Sequence, residues 1–118
     1  MTTEQLKQRT MRFAVRVLAL IDRLPKSIAG RTVGGQLARS ATSVAANYRA
    51  ALRGKSRADF ISKITTVLEE ADECEFWLAL MIEASLLDEA AVRSLRVEAD
   101  ELTRIFNATR TTARNPKS

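Results

Sequence analysis

The sequence predicts an all-α fold, an antiparallel up-and-down four-helix bundle. Three observations predict it. Only four Gly and two Pro interrupt 118 residues dominated by Ala, Leu, Arg and Glu. Phe60, Ile64, Val67, Ala71, Cys74, Leu78, Met81 and Ser85 step by four and three without a break, the repeat of a helix with one buried seam. No stretch alternates apolar and polar residues as a half-buried strand would.

The first helix is expected from about Thr3 to Leu24, where Pro25 stops it, with Leu6, Phe13, Val17, Leu20 and Leu24 on one face. Pro25 to Thr32 reads as a connection with Gly30 as a breaker. The second helix then runs from about Val33 to Arg53, its stripe formed by Leu37, Ala41, Val44, Tyr48 and Ala51. Gly54 is placed to end it in the left-handed conformation. Ser56 reads as the N-cap of the third helix, about Arg57 to Leu86, with Asp59 in the reciprocal capping position. Ile61, Leu68 and Ile82 widen its seam. Asp88 caps the fourth helix, about Glu89 to Thr112, with Val92, Leu95, Ala99, Leu102 and Phe106 as its core stripe. Residues 1–113 thus form one bundle domain and 114–118 a flexible basic tail.

Histidine is absent, which removes the commonest general base and the commonest metal ligand together. Ser40, Thr42 and Ser43 would need an activating base to act as nucleophiles. Glu69, Glu70, Asp72 and Glu73 lack the histidines of a di-iron bundle. Gly54-Lys55-Ser56 resembles the end of a phosphate loop, but Arg49 stands where that motif needs Gly and no strand precedes it. The expectation is a protein that is not an enzyme, with no cofactor, metal or small-molecule substrate. The single cysteine, Cys74, forms no internal disulfide, and no apolar run reaches membrane-spanning length, so a cytoplasmic location is expected.

Charge is distributed unevenly. Residues 1–57 hold twelve Lys/Arg and two acids, whereas residues 58–101 hold twelve Asp/Glu and three bases. Either the halves pair with each other or a basic surface faces a polyanion. On the first helix Arg9, Arg12, Arg16 and Arg23 share an arc of roughly 60° beside the apolar stripe. Such a ridge could track phosphates, pair with acids of helix three, or keep the face hydrated. Arg39, Arg49 and Arg53 lie opposite the core stripe of helix two, and Lys55 and Arg57 extend that charge through the turn. Phe13, Tyr48, Phe60 and Phe106 sit on core stripes, so few rings remain to stack bases, and nucleic-acid contact would be led by the backbone.

Arg39-Ser40-Ala41-Thr42-Ser43-Val44-Ala45-Ala46-Asn47, the Asp59-Phe60 pair, and Glu70-Ala71 through Glu73 to Trp77-Leu78 carry a family resemblance. The Arg9-Thr10 and Phe13-Ala14 opening and the Leu24-Pro25 stop fit it too. From about Leu6 to Phe106 the chain resembles the four-helix-bundle family encoded in intervening sequences of bacterial 23S ribosomal RNA genes, often labelled a ribosomal protein. The resemblance implies a ring-like homopentamer and no enzyme activity. It also implies kinship with accessory proteins of diversity-generating retroelements, which bind a reverse transcriptase and nucleic acid. Cys74 stands where the family more often has a small hydroxyl residue.

Trp77 lies off the seam beside Glu70 and Glu73. It reads either as part of a thick core or as a subunit anchor, and a ring favours the anchor. Glu73 would then meet an arginine across the interface, with Arg39 one candidate. Glu75 falls on the apolar side, where an unpaired carboxylate is costly, so an edge position beside a basic partner is expected. The small residues Ala38 to Ala46 make helix two slim, suited to close packing.

Overall fold

The computed structural model describes residues 1–115, and residues 116–118 of the expected tail lie outside them. Four helices follow one another: α1 (Thr3–Ile21), α2 (Ile28–Ala51), α3 (Arg57–Glu83) and α4 (Glu89–Arg114). Each packs on its neighbours in chain order, and α1 closes against α4, giving an up-and-down bundle of 48 × 21 × 20 Å. The four expected stripes meet inside. Phe13, Val17, Leu37, Val44, Ile64, Leu78, Val92, Leu102 and Phe106 are fully or almost fully buried. Removing one such side chain from water contributes about 1.5–3 kcal/mol. Among the described residues no strand occurs.

The caps explain where the helices begin. Thr2 and Gln5 form a reciprocal capping box on α1. Ser56 accepts from the Asp59 amide at 3.1 Å and Asp88 from the Ala91 amide at 2.9 Å, as their positions predict. Asp59 reaches back to the Lys55 amide at 3.1 Å instead of that of Ser56.

Three local expectations are corrected. Helix α2 starts at Ile28, because Ser27 accepts from the Gly30 amide at 3.0 Å and caps it. Gly30 is therefore helical. Its missing side chain makes room for the Pro25 carbonyl, which a Cβ would overlap. Gly54 has no positive φ, and it leaves space beside the Ala51 carbonyl and the Asp59 carboxylate. The left-handed residue is Ser85, with φ of 57°. It sits one position past the C-cap of α3 and so ends that helix instead of extending its seam. The Leu86 amide reaches the Met81 carbonyl and the Ser85 amide reaches the Ile82 carbonyl, each at 2.9 Å. These two bonds are a Schellman motif with serine in the usual glycine position. At the other end of the chain, Arg114 belongs to α4 and Asn115 is its C-cap.

Candidate nucleic-acid interface

α1 and α2 each have one arginine held by two carboxylates of a neighbouring helix. Arg9 of α1 donates through Nε and Nη2 to both carboxylate oxygens of Glu98 on α4, each at 2.7 Å. Glu101 adds a contact at 3.1 Å. Hydrogen bonding to Glu98 is the main cause of its raised pKa. Arg16 donates to the Ser94 hydroxyl at 2.6 Å. Arg12 and Arg23 make no ion pair among the described residues. The ridge is thus divided, with Arg9 and Arg16 turned onto α4 and Arg12 facing outward.

Arg39 makes the matching contact between α2 and α3. It donates to Glu70 at 2.9 Å, to Glu73, and to the Ser40 hydroxyl at 3.1 Å. The bonds to Glu70 and then Glu73 raise its pKa. The Arg39–Glu73 pairing considered for a subunit interface is therefore made within one chain. Trp77 is half-buried, and its indole N–H donates to Glu73 at 3.2 Å, the first cause of that carboxyl's lowered pKa. The Arg39 contacts could not be assigned from the sequence, because they depend on the axial register of α2 against α3, whereas Trp77 and Glu73 lie one turn apart on α3 itself. Glu75 lies at the bundle edge, lining a shallow groove with Arg93, Arg96 and Asp100. Among the described residues it makes no ion pair.

The up-and-down topology gathers cations at one end of the bundle. The C-terminus of α2, the α2–α3 turn and the C-terminus of α4 meet there, with the Tyr48 and Phe106 rings 5.2 Å apart just beneath. Arg49, Arg53, Lys55 and Arg57 from the expected set are exposed, and none is in an ion pair among the described residues. The sequence reading missed Arg110 and Arg114, which α4 carries to the same end. Their signal was the run of four bases and no acid after residue 101. Asp59 beside this cluster is held by Lys63, the main cause of its lowered pKa, and accepts from the Lys55 amide. No helix is long and apolar enough to cross a membrane among the described residues, and no metal-binding cluster occurs there.

The profile of the 23S rRNA-intervening sequence protein family matches residues 3–108. The chain belongs to that family. A crystal structure described as a protein with unknown function from the S23 ribosomal protein family of Bacteroides thetaiotaomicron superposes with a TM-score of 0.87. It is 32% identical, and the match covers 95% of this chain and 100% of that one. No curated protein matches. As a 23S rRNA-intervening sequence protein, the chain has the four-helix fold that its heptads and caps predict.

Proposed function

We propose that this 23S rRNA-intervening sequence protein is a non-enzymatic scaffold that binds RNA, or an RNA–protein complex, through basic surfaces of α2, the α2–α3 turn and the end of α4. The observation that carries this reading is the cation cluster Arg49, Arg53, Lys55, Arg57, Arg110 and Arg114, exposed or half-exposed at one end of a rigid bundle. Arginine forks at such a surface match phosphate oxygens. Contact led by the RNA backbone would be strongly salt-dependent and weakly selective for sequence. Arg12, midway along α1, and Arg23, at the opposite end of the bundle beside Ala91, lie apart from this cluster, whereas Arg9 and Arg39 serve the bundle. The protein acts as a cytoplasmic homo-oligomer, a pentamer by family resemblance, in which repeated weak sites give avidity. An accessory role beside a reverse transcriptase is one specific form of this function.

One observation favours a second reading, a protein-only ring. Arg9 and Arg39 already pair with Glu98, Glu70 and Glu73, so part of the charge asymmetry serves folding. A competition experiment separates the two. Labelled structured RNA bound to the protein should be displaced by unlabelled RNA of unrelated sequence, and Arg53→Ala/Lys55→Ala/Arg57→Ala should bind at least tenfold more weakly. Unchanged affinity in that variant would refute this surface.

A further inference from the structure

Two apolar faces remain uncovered on helices at opposite corners of the bundle. On α1, Met11, Val15 and Leu18 form an outward stripe and are 52%, 58% and 45% exposed. On α3, Phe76 is 56% exposed and meets the half-buried Trp77 edge-on, with centroids 4.9 Å apart. Leu80, one turn on, extends this patch. Monomeric proteins rarely expose contiguous apolar patches of this kind, and aromatic residues are typical anchors of interfaces.

We infer that these faces are complementary halves of one joint, with the α1 stripe of one copy seated on the α3 patch of a second copy. The inference rests on the homo-oligomer reading and names its contact surface. Charge selects the partner. Arg12 and the half-exposed Lys7 flank the α1 stripe, with Glu4 beside them at the Met11 end, whereas Glu69, Asp72 and Glu83 surround the α3 patch. Two α3 patches therefore repel one another and attract the Lys7 and Arg12 side of the α1 stripe, which makes the contact head-to-tail. Helix α2 does not obstruct it, because beside the stripe it carries only Ala38, Thr42 and Ala45.

Geometry closes the assembly. At about 100° per residue, both patches are turned by roughly 40° from the bundle's outward diagonal toward α2. Their normals then enclose roughly 100°, within the range of about 90–120° that rings of four to six copies require. Such a ring places α2 toward its axis, so Arg31, Arg49 and Arg53 of every copy surround the opening. In this assembly Trp77 supports Phe76 while its N–H stays bonded to Glu73.

The test uses Val15→Glu and Phe76→Glu, both at exposed positions outside the core. Light scattering on the full chain should give a closed oligomer for the parent and a helical monomer for each variant. An equimolar mixture of the variants should form a one-to-one dimer, since each keeps the face the other has lost. Variants that retain the parent's mass would overturn this joint while leaving the homo-oligomer reading intact. A monomeric parent would overturn both. Monomeric variants that do not combine would overturn the head-to-tail pairing.

Discussion

Arg9 and Glu98 join the first and last helices through two parallel 2.7 Å hydrogen bonds. The Arg9 and Glu98 side chains are 25% and 15% exposed, so water competes for the pair only in part. Replacing Arg9 with Ala leaves a mostly covered carboxylate without its fork and should cost about 1.5–3 kcal/mol by urea unfolding. RNA affinity should change less than twofold in the folded variant, because this guanidinium is committed to α4. A tenfold loss would return Arg9 to the nucleic-acid surface.

Gly30 and Gly35 should respond oppositely to alanine. A Cβ at Gly30 overlaps the Pro25 carbonyl, whereas at Gly35 nothing lies within 4 Å. Gly30→Ala should destabilise by about 1–3 kcal/mol through backbone displacement. Gly35→Ala should stabilise by about 0.5–1 kcal/mol, because alanine restricts the unfolded chain and favours helix. Chemical denaturation of the pair checks the contrast, and equal effects would contradict it.

Ser85 holds a left-handed conformation on an exposed turn, with φ of 57°. Glycine adopts this conformation without the Cβ penalty of about 1 kcal/mol. Ser85→Gly should therefore raise Tm by about 3–6 °C, as calorimetry can measure. A lower Tm would show that the serine hydroxyl matters more than the backbone.

Cys74 is buried in the seam, and burial, aided by the nearby Glu70 and Glu73 carboxylates, pushes its thiol pKa up to about 12. The unfolded thiol ionises near 8.5. Between these values the unfolded chain binds one proton fewer, so the thiol's contribution to stability is complete below about pH 8.5 and falls as pH rises toward 12. Cys74→Ala should lose less stability from pH 8 to 10 than the parent. Iodoacetamide at pH 8 should label the thiol only after unfolding. Rapid labelling of the native protein would contradict the burial.

The bundle could be read from the sequence because heptads and caps are local signals. Phe60 to Met81 define a buried face by spacing alone, and Ser56 and Asp88 stand directly before helical patterns. The misread positions were ones where space decided the residue. Gly30 has the sequence signature of a breaker, but its role is to admit the Pro25 carbonyl, and Ser85 fits the seam numerically although the chain turns there. The basic surface was partly legible: Arg49, Arg53, Lys55 and Arg57 are adjacent in sequence, but Arg110 and Arg114 reach them only through the antiparallel return of α4. Phe76 carries no spacing signal, because its exposure on the folded bundle alone marks it as an anchor.

The salt dependence of RNA affinity tests the cationic surface at the α2–α3 end most directly. Fluorescence anisotropy with labelled structured RNA at 50–200 mM salt, with oligomeric mass checked in parallel, should show binding that weakens steeply with salt. Arg53→Ala/Lys55→Ala/Arg57→Ala should lower the slope of log affinity against log salt by about 2, because each lost phosphate contact removes about 0.7–0.9. Absence of binding at 50 mM by an assembled protein would contradict an RNA-binding role for this surface and favour the protein-only ring.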